Sequence, residues 1–126
     1  MPHTRLLFFR NADGSAPAWE WLKDLRAKNH KAYAKCAVRI RRLAEIGHEL
    51  RRPEADFLRD GIYELRAKLG TVNYRILYFF HGRDVANAIT KENEIPVIEI
   101  NRALERKKVF VANPAAHTFI GDIEDA

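Results

Sequence analysis

Cysteine is nearly absent from this chain of 126 residues, in which Cys36 is the single one. One thiol cannot form an internal disulfide, and no cysteines and histidines cluster at the spacing of a structural zinc site. These absences exclude a disulfide-stapled secreted domain and predict that the protein holds no metal. A reducing cytoplasm therefore suits the chain best.

Long apolar runs are also missing. None approaches the roughly 20 residues that span a bilayer, and Leu6-Leu7-Phe8-Phe9 is too short for a secretion signal. The sequence therefore predicts a soluble protein with no membrane partner.

The chain lacks several common catalytic motifs. It contains no Walker-type or dinucleotide glycine loop, no Gly-x-Ser-x-Gly elbow and no His-Glu-x-x-His helix. Its five histidines are scattered singly, which argues against a mechanism based on a histidine pair. We expect no cofactor.

Positive charge is what the sequence has in excess. Lys and Arg number 22 against 17 Asp and Glu, which gives a net charge of +5 and favours an anionic partner. Hydrophobic residues make up 47%, enough for one core in one domain. The basic residues Lys35, Arg39 and Arg42 lie on the predicted second helix, where they either dock onto RNA or form an ordinary solvated face.

Hydrophobic spacing and turn residues predict the order strand, two helices, three strands, helix. This order is typical of an α+β fold, with a small antiparallel sheet, an N-terminal helical hairpin and a C-terminal helix. We predict strands at 6–10, 61–68, 72–80 and 85–90 and a connecting segment at 54–60. The first helix is expected to have Ser15 as its cap and Pro17 in its first turn, the second to begin at about Lys31 and end at Gly47, and the last to open at Pro96.

The chain ends are predicted from the same patterns. On the last helix, the buried stripe is expected to comprise Val97, Ile100, Leu104 and Val111. A single domain is predicted over 1–111, and a flexible tail over 112–126. The alternative is that the tail folds back on the basic surface or engages a partner through Phe119 and Ile120.

Two neighbouring predicted strands carry charged side chains at the positions where an alternating strand faces solvent. Glu64, Arg66 and Lys68 alternate along the first and so share one face of the sheet. If Arg75 faces the same way on the next strand, these cations form a patch that can hold a phosphate. A solvated ladder of salt bridges is the alternative. Tyr63 and Tyr74 are candidates to stack on RNA bases, with burial in the core as their alternative.

The same residues carry a family resemblance. The pattern is Leu58-x-Asp60-Gly61-Ile62-Tyr63-Glu64-Leu65-Arg66, then Tyr74-Arg75-Ile76, Lys91 at a strand end, and Pro96-x-x-Glu99-Ile100-x-x-Ala103. It resembles the RelE/HigB superfamily of toxins from type II toxin–antitoxin systems, in particular the phage-derived HigB-like branch, over roughly residues 5–111.

The resemblance implies a ribosome-dependent endoribonuclease that cleaves mRNA and is silenced by a cognate antitoxin, usually of helix-turn-helix type. It implies that Arg75 stabilises the phosphate, with Arg66 and Lys91 as further cations. A ribose 2′-OH attacks the adjacent phosphate in such a reaction, which needs a base. Lys68, if neighbouring cations favour its neutral form, or Glu64 is the candidate base.

The chain departs from the family pattern at three points. Thr90 and Glu94 stand where the branch usually has lysine, and no tyrosine follows Tyr78. A protein of the same fold that binds nucleic acid or a protein partner without cleavage is therefore the alternative.

Overall fold

This computed structural model describes residues 4–123, which form one strand, two helices, four strands, a third helix and a last short strand. The strands are β1 (Arg5–Phe9), β2 (Ala55–Arg59), β3 (Ile62–Leu69), β4 (Val72–His81), β5 (Asp84–Glu92) and β6 (Thr118–Phe119). The helices are α1 (Pro17–Lys28), α2 (His30–Ile46) and α3 (Val97–Ala112), with short 3-10 turns at Gly47–Glu49 and Pro114–His117.

The six strands form one sheet in the order β2-β3-β4-β5-β1-β6. Strands β1 and β5 run parallel, and every other neighbouring pair is antiparallel. The predicted α+β fold, with its helical hairpin and C-terminal helix, is confirmed. None of the helices within residues 4–123 is long and apolar enough to cross a membrane.

Each face of the sheet is covered by helices and has its own apolar cluster. Helices α1 and α2 bury Leu22 and Ile40 against Tyr78 and its neighbours on one face. Helix α3 buries Phe110 against Phe79 on the other. Because neighbouring residues of a strand point to opposite faces, β3 and β4 contribute alternately to the two clusters.

The ends of the helical hairpin follow its sequence only in part. Pro17 occupies the first turn of α1, as predicted, but Ser15 is not the cap because its Oγ donates to Asp13 Oδ1 over 2.6 Å. Helix α2 ends at Gly47, whose φ of +63° favours glycine. The predicted terminator is therefore confirmed.

Residues 55–59 form a strand, whereas the sequence predicted only a connecting segment. The cause is the Asp60-Gly61 turn, whose φ angles of +50° and +81° suit a tight hairpin between β2 and β3. Strand β2 is the edge of the sheet, and its short, weakly alternating sequence hid it.

The predicted stripe on α3 is wrong at both ends. Val97 and Val111 are 63% and 51% exposed, whereas Ala103 and Phe110 are buried. Ala103 and Phe110 are seven residues apart and so lie on one side of the helix, and the predicted Ile100 and Leu104 pack partly buried against the same cluster.

The described part of the predicted tail packs against the domain. Thr118–Phe119 pair with β1 as strand β6, and the Trp19 and Phe119 rings lie 5.3 Å apart. Ile123 is buried, and the Tyr33 hydroxyl donates to its carbonyl oxygen. The prediction of a flexible tail did not anticipate this packing, because the edge of β1 that pairs with β6 cannot be recognised in the sequence. Residues 124–126 of the predicted tail lie outside the described part.

Candidate functional site

Three cations lie side by side on the neighbouring strands β3, β4 and β5. Arg66 on β3 pairs in register with Arg75 on β4, and Arg75 pairs with Lys91 on β5. Residues directly opposite one another in a sheet point to the same face. Arg66, Arg75 and Lys91, here called the cation row, therefore share the face that α3 partly covers.

Glu64 fixes the two arginines of the cation row. Its side chain is only 5% exposed, and its Oε1 accepts from Arg66 Nε over 2.5 Å and from Arg75 Nη1 over 2.8 Å. A buried carboxylate is tolerated when it is paired and hydrogen-bonded in this way. Of the two roles that the sequence left open for Glu64, pairing with a neighbouring cation is the one that its contacts display.

A second carboxylate, Asp56, joins the cation row from the edge strand. Its Oδ2 accepts from Arg66 Nη2 over 3.1 Å and from Arg52 Nη2 over 2.9 Å. The hydrogen bond from Arg52 lowers the pKa of Asp56, with the charges of Arg52 and Arg66 acting in the same direction. Asp56 therefore stays ionised and helps to orient Arg66.

Asn93 holds Arg75, the middle residue of the cation row. Its backbone carbonyl oxygen accepts from Arg75 Nε, and its backbone N–H donates to Asn73 O over 2.6 Å. Its φ of +61° is a left-handed conformation that asparagine adopts more readily than most residues. The turn after β5 thus presents a carbonyl oxygen to the guanidinium, so Arg75 is held by a side chain and by the backbone.

Comparison with known proteins assigns a family to this arrangement. Residues 21–108 match the family described as phage derived protein Gp49-like, a match that spans most of the helical hairpin, the cation row and most of α3. The chain belongs to the Gp49-like family. That family is associated with the toxins of toxin–antitoxin systems. No curated protein matches the chain.

In this Gp49-like protein, the two tyrosines that were candidates to stack on RNA bases lie on the face opposite the cation row. Tyr74 is buried beside Trp21, and burial raises the pKa of its hydroxyl. Tyr63 stacks on Tyr78, with ring centroids 5.5 Å apart. Tyr74 thus occupies the core, the alternative that the sequence left open, and neither tyrosine is next to the row.

Two of the three basic residues predicted to dock RNA from α2 form ion pairs with a glutamate. Arg39 and Arg42 form ion pairs with Glu54 at 3.0 and 2.9 Å. Lys35 is exposed and lines a shallow pocket together with Lys68, which lies on the face of β3 that carries Arg66. The structure thus places Lys68 near α2. The carboxylates that bond the arginines of the cation row are those of Glu64 and Asp56.

Sequence reasoning missed Asp56, Arg52 and Asn93 in the Gp49-like site. A signal for Asp56 was the Asp60-Gly61 turn, which implies a strand on both of its sides. Among residues 4–123, no group of three or more His, Cys, Asp and Glu side chains is arranged to hold a metal ion.

Proposed function

We propose that this chain is the toxin of a type II toxin–antitoxin system and cleaves mRNA on the ribosome. The observation that carries the proposal is the cation row, in which Arg66 and Arg75 are held side by side by one buried carboxylate. A guanidinium has five N–H donors, so Arg66 and Arg75 keep further donors for the oxygens of a phosphate beyond those that bond Glu64, Asp56 and Asn93. The resemblance to the RelE/HigB toxins and the membership of a toxin-associated family agree with this chemistry.

The proposed reaction is attack of a ribose 2′-oxygen on the adjacent phosphorus. The bond from phosphorus to the 5′-oxygen breaks as the new bond forms, leaving a 2′,3′-cyclic phosphate and a 5′-hydroxyl. Arg66 and Arg75 stabilise the negative charge that grows on the phosphoryl oxygens. Because a guanidinium stays protonated in proteins, neither arginine removes the 2′ proton.

The proton-transfer steps fall to the lysines in this proposal. Glu64 Oε1 already accepts two hydrogen bonds from guanidiniums, which makes it a positioning group. Lys68 and Lys91 are exposed on strands β3 and β5. One of them, in its neutral form, takes the proton of the 2′-hydroxyl, and the other, as the ammonium, gives one to the leaving 5′-oxygen.

A cognate antitoxin that carries a helix-turn-helix is the proposed protein partner. We propose that this chain acts in the cytoplasm. The charge on the phosphate is stabilised by guanidiniums, so the proposed reaction uses no metal or other cofactor.

A second function, binding of RNA or a protein partner without cleavage, is favoured by the position of the tyrosines. Tyr63 and Tyr74 face the other side of the sheet, so no phenol adjoins the cation row. In this case the row holds a phosphate but the 2′-oxygen is not activated.

Induced expression tests the proposed cleavage. We expect the wild type to arrest growth and to produce new mRNA 5′ ends carrying a hydroxyl, and an Arg66→Ala/Arg75→Ala variant to do neither. Loss of one group that stabilises transition-state charge costs about 10²–10³ in rate. Mapping of 5′ ends after induction gives the measurement.

The matched control is Arg83→Ala/Lys108→Ala, which removes the same charge from two exposed residues in the β4–β5 turn and on α3. We expect it to arrest growth like the wild type. Tight ribosome binding by the wild type without any new 5′ ends would refute cleavage and support the second function.

A further inference from the structure

A cavity of about 490 Å³ opens at the outer edge of the sheet, on the side of β2 that faces away from β3 and that no strand within residues 4–123 covers. Pockets for small ligands have volumes of about 300–1,000 Å³, so this one suits a single nucleotide. Its lining comprises Leu50, Arg51, Arg52, Ala55, Asp56, Phe57 and Tyr63. We call it the edge cavity.

Two aromatic rings form one wall of the edge cavity. Phe57 is 54% exposed on β2, and its ring lies 5.2 Å from that of Tyr63 at an angle of 70°. Tyr63 is backed by Tyr78 and Phe80, whose ring centroids lie 5.5 and 5.3 Å away. An exposed ring supported by a buried aromatic cluster is a rigid surface on which a base can stack.

Two arginines lie beside the rings. Arg51 Nη1 donates to the backbone oxygens of His48 and Leu50, which ties its guanidinium to the chain. The side chain of Arg52 is 76% exposed and is held by Asp56. Arginine is a donor without an acceptor, so this pair suits a phosphate or the acceptor atoms of a base.

Asp56 connects the edge cavity to the cation row. It lines the cavity, and its Oδ2 accepts from Arg52 on one side and from Arg66 on the other. Phe57, the next residue, points to the opposite face of β2. Because no strand covers this edge, the two faces meet there, and a chain lying on the cation row can pass over the edge into the cavity.

We propose that the edge cavity binds one unstacked nucleobase of single-stranded RNA, next to the phosphate held by the cation row. The base stacks on Phe57, and Arg51 and Arg52 contact its acceptor atoms or the adjoining phosphate. This inference rests on the proposed function, because it requires that the cation row binds RNA. The concave aromatic wall together with the two guanidiniums favours RNA over a peptide strand or a second copy of the chain.

The test uses a short 2′-O-methyl RNA, which cannot be cleaved by 2′-oxygen attack, with one 2-aminopurine flanked by uridines. Stacking of 2-aminopurine on an aromatic ring lowers its fluorescence. We expect the wild type to quench it and Phe57→Ala to abolish the quenching and to weaken binding about tenfold. Phe57→Trp should restore both, because it keeps a flat ring at the same position.

Val111→Ala, a truncation of another exposed apolar residue, is the control and should behave as the wild type. Equal quenching by the wild type and Phe57→Ala, or none by either, overturns the edge cavity proposal. So does a change of oligomeric mass in Phe57→Ala, measured by light scattering, with unchanged RNA binding. Because the probe is not cleaved, quenching is read separately from the 5′-end mapping, and either proposal can fail alone.

Discussion

Glu64 shows how one buried residue can organise a cationic site. Arg66 and Arg75 stand directly opposite each other on neighbouring strands, where like charges repel. The Oε1 atom of Glu64 accepts from both guanidiniums, which offsets that repulsion and fixes their directions. The carboxylate thus allows two cations to be held side by side.

Replacement of Glu64 by glutamine should expose this role. Glu64→Gln keeps the shape but weakens two charge-assisted hydrogen bonds, so we expect the free energy of unfolding to fall by about 2 kcal/mol. Urea denaturation gives the measurement. Asp24→Asn, which breaks the exposed Lys28 pair on α1, is the control and should change stability by less than about 0.5 kcal/mol. Equal effects of the two substitutions would contradict an organising role.

Sequence predicted the members of the site better than their contacts. The alternation of Glu64 and Arg66 along β3 was visible, and the short Gly70-Thr71 turn placed Arg75 on the adjacent strand. The contribution of Asp56 was not visible, because it depends on the pairing of β2 with β3. Asn93 was missed for a similar reason: its carbonyl reaches Arg75 only through the turn that follows β5.

At the scale of elements, the two edges of the sheet differ. The β2 edge is open and carries the edge cavity, whereas β6 and the residues after it cover the edge of β1. Gly121 lies against Trp19 so closely that an added Cβ would come within 2.7 Å of the ring. Sequence predicted the long hairpin of β3 and β4 but not these short edge strands, whose few residues carry little periodicity.

The packing of the C-terminal segment can be tested with a matched pair of isoleucines. Ile123→Ala removes a side chain that is 6% exposed and should lower the free energy of unfolding by about 2 kcal/mol. Ile120→Ala removes one that is 59% exposed and should be nearly neutral. Thermal or urea unfolding of both variants gives the measurement. Two neutral substitutions would indicate that the segment is frayed in solution.

At the scale of the whole molecule, the two faces of the sheet divide their tasks. The α1 and α2 face holds the larger aromatic cluster, which includes Tyr74 and Tyr78. The α3 face is covered over Leu77 and Phe79 but exposes the cation row at the strand ends near Asn93. The apolar packing of α3 and the cation row thus occupy different regions of that face.

This division predicts that the position of positive charge, and not its total, governs RNA binding. Arg66→Ala/Arg75→Ala/Lys91→Ala and Arg10→Ala/Arg83→Ala/Lys108→Ala each lower the formal charge from +5 to +2. Each phosphate contact on single-stranded RNA contributes about 0.7 to the slope of log affinity against log salt concentration. Removing the cation row should therefore reduce the slope by about two, while the control triple variant keeps it within about 0.5 of the wild-type value. Titrations of 2′-O-methyl RNA at several salt concentrations give both slopes, and equal slopes for the two variants would assign the affinity to overall charge.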